Sequence, residues 1–321
     1  MPTYPIARYH FLFRVLTPIR LPDYAGSTLR GAFGRALRRT ACMTRMKDCK
    51  DCPLRRTCPY INLFEPCPPD SHPLQKFSQI PVPYIIEPEG WGSRIYQPGE
   101  NLAFSMVLIG TAIQQLALIA YSWQQAFMHD VGHGTAELLD IQLENGNNRR
   151  SVYDEDNQKI LPHDTALTIE PVKSDAASLL IHTPLRLQEN GRAVPSSQVT
   201  ARRLLMALVR RISLLQEFYM GKDTSTDFSG LATQAEQVTS SLNLAWRNWI
   251  RYSSRQHQKM QLGGVIGEWR LNHLTPQLLE YLNLGQWLHV GKNASFGLGR
   301  YHLVLPESHP DSQDGSVKLN G

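Results

Sequence analysis

Leu288-His289-Val290-Gly291-Lys292-Asn293-Ala294-Ser295-Phe296-Gly297-Leu298-Gly299-Arg300-Tyr301 packs three glycines, Gly291, Gly297 and Gly299, into one short stretch near the end of the chain. Glycine lets the backbone take positive φ and approach other groups closely. Successive amides from such a turn can cradle phosphate. Lys292 and Arg300 add charge, Ser295 adds a hydroxyl, and Phe296 or Tyr301 offers a ring for a base to stack on. A phosphate-binding P-loop is excluded, because no Gly-Lys-Ser/Thr opens a helix after a strand. A dinucleotide-binding turn is excluded too, because the loop leads into a final strand with no acidic residue on a later one. From the glycines by themselves, a tight turn that binds nothing is as good a reading.

Working back from this loop, Pro276–Leu284 reads as a short helix, and Arg300–Leu305 as the strand that follows the loop. Ala245–Ser254 and Leu262–Leu271 read as strands. Thr200–Met220 is a helix with Leu204, Leu208, Ile212 and Leu215 on one face. Ser178–Leu187 is the strand before it. The order is β-α-β-β-α-β. The first half repeats it. Ala7–Thr17 alternates Tyr9, Phe11 and Phe13 against Arg8, His10 and Arg14. Leu29–Thr40 is a basic helix, with Ser27 or Thr28 as its N-cap. Val82–Glu87 and Leu102–Gly110 are strands, Thr111–Met128 a helix, and Ala136–Leu143 the closing strand. Each half carries a glycine pair just before its last strand, Gly132-His133-Gly134 and Gly297-Leu298-Gly299. The repeat is one of pattern. It predicts an α+β chain of two tandem ferredoxin-like βαββαβ domains. Residues 1–144 form the first, 145–164 a linker and 165–305 the second, with a polar, disordered tail over 306–321.

Composition agrees with a globular chain: 321 residues, 42% hydrophobic and 19% charged. No apolar run is long enough to span a membrane, and no secretory leader is visible, so a cytoplasmic protein is expected. The net charge of +5 is unevenly spread. Residues 1–60 hold twelve Lys/Arg against three Asp/Glu, a balance of +9, which leaves −4 for the remainder. Such a basic segment suits phosphate, although a solvated helix face has the same composition. A second basic set, Arg202, Arg203, Arg210 and Arg211, sits on the second-half helix.

All five cysteines fall between Cys42 and Cys67. Clustering of this kind in a chain without a leader points to metal rather than to disulfides. Cys49-x2-Cys52 lets two thiolates share one tetrahedral ion, and Cys58 with Cys42, or Cys67 in its place, completes four ligands. Structural zinc is the first expectation, a [4Fe–4S] cluster the alternative. The knuckle, over about 41–68, would be an insertion in the first domain that pins a basic loop beside its helix.

The glycine loop resembles the C-terminal signature of the RAMP superfamily, and most closely that of the CRISPR-associated endoribonuclease that processes precursor CRISPR RNA, the Cas6 family. Tyr24-Ala-Gly-Ser-Thr-Leu-Arg-Gly-Ala-Phe-Gly (Tyr24–Gly34) is similar to the family's approach to its first helix. Leu180–Leu187, with Thr183-Pro184-Leu185-Arg186, resembles its second-domain opening strand. Trp246–Ser254 followed by Gly263-Gly264-Val265-Ile266-Gly267 resembles its paired central strands. The likeness runs over roughly residues 10–305.

The resemblance implies recognition of CRISPR repeat RNA and cutting of precursor crRNA within each repeat. A 2′-hydroxyl attacks the adjacent phosphate and leaves a 2′,3′-cyclic phosphate and a 5′-hydroxyl. That chemistry uses no metal; it needs a base, an acid and positive charge on the phosphate. The family often places a histidine in or just after the first helix. Here Leu29–Thr40 has Arg30, Arg35, Arg38 and Arg39 but no histidine. The candidates are His72 as acid–base group, Tyr24 to position the hydroxyl, and Lys76 or Arg38 to clamp the phosphate, with His10 and His133 as alternates. Arg30, Arg35, Arg38, Arg39, Gly291, Lys292, Ser295, Phe296, Gly297, Gly299 and Arg300 are the expected RNA contacts. The missing helix histidine leaves room for a RAMP-type RNA-binding subunit of a CRISPR ribonucleoprotein complex that does not cut. An unrelated cysteine-metal protein is a third reading, disfavoured as a regulator by the absence of a DNA-reading helix motif.

Overall fold

The computed structural model describes residues 2–68, 80–189, 191–222, 226–253 and 258–306, with no side-chain account of 250–253 and 258–261. The first half opens with β1 (Thr3–Val15) and β2 (Ile19–Leu21), then α1 (Gly26–Ala41) and α2 (Pro59–Phe64). It continues through β3 (Tyr84–Pro88), β4 (Arg94–Tyr96) and β5 (Asn101–Ile109). A 3-10 turn (Gly110–Gln115) then leads into α3 (Leu116–His129), followed by β6 (Ala136–Asn145) and β7 (Asn148–Ser151). The sheet order is β3-β5-β1-β6-β7, all antiparallel, which is the ferredoxin-like order with a hairpin added at one edge. Alternation along β1 does what the sequence requires: Tyr9, Phe11 and Phe13 are fully buried under the helices. Phe11 lies opposite Phe104 on β5, their rings 5.5 Å apart, and Phe104 packs 4.5 Å from Trp123 of α3. Phe33 of α1 stacks on Trp123 at 5.0 Å and so ties the two helices over the sheet.

Helix α1 starts earlier than its polar residues suggest. Its N-cap is Ala25, with no side-chain cap from Ser27 or Thr28. A side chain at Gly26 would run into the Phe296 carbonyl, so the helix begins where the C-terminal loop presses on it. The helix read from Thr111 is α-helical only from Leu116, because Gly110, at φ +56°, turns the chain tightly against the Tyr219 carbonyl.

Residues 145–164, read as a linker, are largely paired. β7 returns along β6, and β8 (Tyr153–Asp154) pairs with β9 (Lys159–Ile160). β10 (Ala166–Thr168) then adds to β1, with Thr3 opposite Thr168.

The second half begins at β11 (Ala176–Leu185), followed by the small hairpin β12 (Gln188–Glu189) and β13 (Arg192–Ala193). Next come α4 (Ala201–Tyr219), α5 (Phe228–Gln237), β14 (Thr239–Arg247), β15 (Ile250–Ser253), β16 (Gln258–Gln261) and β17 (Gly264–Asn272). α6 (Pro276–Leu288), a 3-10 turn (Ala294–Phe296) and β18 (Tyr301–Val304) complete it. The order β14-β17-β11-β18 is ferredoxin-like again. Thr200 caps α4 and Thr275 caps α6, each accepting from the amide three residues on. The stretch Ala245–Ser254 is not one strand. β14 ends at Arg247, where Trp246 Nε1 donates to Asn248 Oδ1 at 2.9 Å, and the chain leaves the sheet as the separate β15–β16 hairpin. α5 carries little periodic signal, since only Leu231 and Ala235 are buried.

The halves share apolar surface. Tyr4, Ile6, Ile85, Val107 and Ile109, on the first sheet, pack into the second half's core with Leu204, Leu208 and Leu282. Tyr4 Oη donates to Glu280 Oε1 at 2.7 Å across the junction. The tail expected to be disordered lies, from residue 307, outside the described residues. Among those described, no helix is long and apolar enough to cross a membrane.

Candidate functional site

The glycine loop sits at the junction of the halves. His289, Gly291, Asn293, Gly297 and Gly299 all have positive φ. A side chain at Gly297 would strike the Tyr24 hydroxyl, one at Gly299 the Val290 carbonyl, and one at Gly291 would lie 2.6 Å from the Arg186 carbonyl oxygen. The glycines are therefore required by close backbone packing. Several loop amides are occupied within the protein: Lys292 N–H donates to Arg186 O, Gly297 N–H to Ala294 O and Gly299 N–H to Pro184 O. The expected phosphate cradle of open glycine amides is thus not what Gly297 and Gly299 form. Thr183 Oγ1 donates to Gly297 O at 2.8 Å and accepts from Arg300 N–H at 2.9 Å, fastening the loop to β11.

Two expected ligand contacts are internal. Phe296 is 4% exposed and packs with Tyr24, Trp249, Leu262 and Leu298. Tyr24 is 2% exposed, stacked 4.5 Å from Trp91, and burial pushes its phenol well above its ordinary range. Tyr24 therefore supports the loop from beneath instead of presenting its hydroxyl. Arg247 lies 4.0 Å over the half-exposed Trp91 ring, which continues this aromatic group to the surface.

Below the loop lies a buried charged group that joins the halves. His289 Nε2 is 2.8 Å from Glu87 Oε1, and Glu87 Oε2 is 2.9 Å from Arg8 Nε. Arg8 also reaches Glu144 at 2.7 Å and lies 4.3 Å over the Trp287 ring. Burial pushes the Glu87 carboxyl up, but Arg8 and His289 outweigh it and hold it far below the usual carboxylate range. Burial pulls His289 down, with Glu87 pulling the other way.

On the open face beside the loop, His182 of β11 and His302 of β18 are exposed and share a 2.9 Å Nε2···Nδ1 contact. The His182 amide donates to the Arg300 carbonyl, which places this pair at the loop's exit. Burial lowers the pKa of both, His182 lowers that of His302 further, and the nearby Arg300 acts on each in the same direction. A neutral pair of this kind holds one proton donor and one acceptor side by side, next to a guanidinium.

The remaining candidates are spread out. His72 and Lys76 lie outside the described residues. His10 is half-buried on the first sheet, 3.3 Å from Ser105 Oγ, and burial lowers its pKa. His133 occupies the tight Gly132–Gly134 turn and is exposed there. Arg35 and Arg39 of α1 are exposed, while Arg30 covers the Phe64 ring at 4.3 Å. Arg38 is no phosphate clamp in this arrangement: its guanidinium donates to Met46 O at 2.8 Å and Lys47 O at 3.0 Å, holding the cysteine loop. Lys292 is exposed, and Ser295 and Arg300 are half-buried. On α4, Arg202 pairs with Glu236 and Arg203 with Glu189.

Four of the five cysteines lie between α1 and α2, and Cys67 follows α2. None is paired in a disulfide, and Cys42, Cys49, Cys52 and Cys58 line one cavity. Cys67 stands apart, accepting from Arg55 Nε at 3.0 Å.

Comparison with known proteins covers both halves. A model described as an N-terminal domain, AF_1859_N, matches residues 4–165, and one described as CRISPR-associated endoribonuclease Cas6 matches residues 179–301. The chain is similar in fold to a Cas6 (TTHB231) product complex, with a TM-score of 0.56 at 14% identity over 93% of this chain and 100% of that one. Thermus thermophilus Cas6 (TTHB231) gives a TM-score of 0.51 at 14% identity, over 95% and 100%. A partial Cas6-RT-Cas1–Cas2 complex gives 0.51 at 13% identity, over 95% of this chain and 47% of that one. No curated protein matches the chain.

Proposed function

We propose, from the match of the CRISPR-associated endoribonuclease Cas6 model to residues 179–301, that the chain is a Cas6-family protein that binds CRISPR repeat RNA and cuts precursor crRNA once within each repeat by 2′-hydroxyl attack. The products would be a 2′,3′-cyclic phosphate and a 5′-hydroxyl. The match of the Cas6 model supports the substrate. The observation that carries the chemistry is the His182–His302 pair beside Arg300 at the exit of the glycine loop.

In-line attack by a 2′-hydroxyl needs its proton removed and the 5′-oxygen protonated as it leaves. Within the neutral histidine pair the ring that donates to the other keeps its outer nitrogen free to take the first proton, and the ring that accepts keeps an outer N–H that can supply the second. Arg300 offers charge to the phosphorane as negative charge builds. His72, with Lys76, remains the sequence's own candidate for the same work. The exposed Arg35 and Arg39 on α1 suit the RNA backbone. The Cas6-RT-Cas1–Cas2 neighbour supports, as part of the proposal, other CRISPR proteins as partners.

The absence of histidine from α1 favours one other reading, a RAMP-type subunit that holds repeat RNA without cutting it. The two are separated by incubating the purified chain with the repeat RNA of its own genome in excess EDTA and resolving the products on a denaturing gel. One cut per repeat, blocked by a 2′-deoxy nucleotide at the scissile position, is expected. Tight binding without cutting would favour the subunit. Neither binding nor cutting would remove the proposal.

If the pair is the acid–base centre, His302→Ala lowers the cleavage rate about 100-fold while His72→Ala leaves it nearly unchanged; the reverse result returns the role to His72. Both rings titrate below their usual value. The acidic limb of the pH–rate profile should then lie below about pH 6.5, since the base must be unprotonated.

A further inference from the structure

Cys42 ends α1, Cys58 is the N-cap of α2, and Cys49 and Cys52 lie on the loop between them. All four face one cavity of about 160 Å3 walled by Met43 and Tyr60. Four local contacts hold that arrangement. Arg38 donates to the carbonyls of Met46 and Lys47, the Cys52 amide donates to Cys49 O, and Thr44 Oγ1 lies 3.3 Å from Cys52 Sγ. Cys67 is engaged with Arg55 and does not line the cavity, which leaves four thiols on it, Cys42 among them.

The size of the space bears on what fills it. Four thiolates on one zinc ion, at Zn–S of about 2.3 Å, bring their sulfurs within about 3.8 Å of one another. A [4Fe–4S] cluster instead spreads its four cysteines around a cube of iron and sulfide and needs volume between them. Cys58-Pro59 also repeats the Cys-Pro that closes bacterial ferredoxin cluster runs. Exposed Lys47, Lys50 and Arg56 nearby would offset the charge of a thiolate-bound cluster. We propose that Cys42, Cys49, Cys52 and Cys58 bind a [4Fe–4S] cluster, which fixes the basic loop between α1 and α2. This changes the first expectation from the spacing, zinc, because the four cysteines line a cavity with volume for a cluster.

The site is tested on the full chain, purified without oxygen and without RNA, so that its failure is separate from any failure of RNA cleavage. Iron, zinc and acid-labile sulfide are measured per chain. About four iron and four sulfide are expected, with a broad visible absorbance bleached by dithionite. Cys67→Ser should keep the iron, and Cys52→Ser should lose it. Zinc near one per chain without iron would overturn the cluster. Neither metal would overturn the site. Loss of iron in Cys67→Ser would overturn the ligand set. If Cys52→Ser fails to fold, the metal content of the unsubstituted chain still decides.

Discussion

In the first half, Gly132 and Gly134 bring a short turn against the carbonyls of Arg20 and Pro18, all within that half. In the second half, the glycines at the same point of the same fold reach across the junction: Gly297 lies against the Tyr24 hydroxyl and the Ile86 carbonyl. One turn is a local clip. The other takes its shape only when both halves are docked, and the His182–His302 pair and Arg300 stand at its end. A duplicated fold has here kept one copy of a loop for closure and given the other the junction.

This contrast can be broken most directly at Glu87. Glu87→Ala should cost about 3–5 kcal/mol by chemical denaturation, because it strands Arg8 and His289 in a buried place. Cleavage should fall with it, since the loop loses its anchor. A stability loss confined to surface-pair size would show that the junction does not depend on this group. The same carboxylate sets an acid limit. Its pKa is depressed in the folded chain, so its contribution is complete above the unfolded value of about 4.3 and is lost as the pH falls through and below it. Thermal melts from pH 7 to 3 should show that loss, and Glu87→Ala should flatten it.

A smaller effect sharpens the comparison. Gly297→Ala and Gly132→Ala should each cost about 1–3 kcal/mol by forcing carbon against backbone at positive φ. Only Gly297→Ala should reduce RNA cleavage by tenfold or more. Equal effects on cleavage would mean that both turns serve the RNA.

The smallest difference lies in the two basic helices. Arg39 of α1 is exposed, whereas Arg202 of α4 pairs with Glu236 at 3.0 Å. Arg39→Ala should flatten the salt dependence of RNA binding by about one unit of slope, and Arg202→Ala should leave it unchanged. Titrations at several salt concentrations distinguish them.

The βαββαβ order was legible twice because its core strands alternate strongly: Tyr9, Phe11 and Phe13 in one half, Leu179 and Ile181 in the other, are buried as alternation requires. β14 was misplaced because Ser240, Leu242 and Ala245 on this edge strand are all exposed, leaving no buried face to read. The site was less legible. Tyr24 and Phe296 look like ligand contacts in the sequence, but aromatic residues beside glycines are equally suited to fill a junction, and these do. His182 and His302 are far apart in the chain and meet only because β11 and β18 pair, with Leu180 opposite His302. No local spacing reports that. Glu87 and Arg8 are hidden in the same way, since an ordinary strand carries charges on its open face.

The contact between Glu87 and His289 closes 202 residues of chain. During synthesis the first half emerges long before its partner. Until then, Tyr4, Ile6, Ile85, Val107 and Ile109 form an uncovered apolar patch on a finished sheet. A ribosome-bound first half is therefore sticky by construction, and the interval before residue 289 is made is when this protein is most exposed to misassembly.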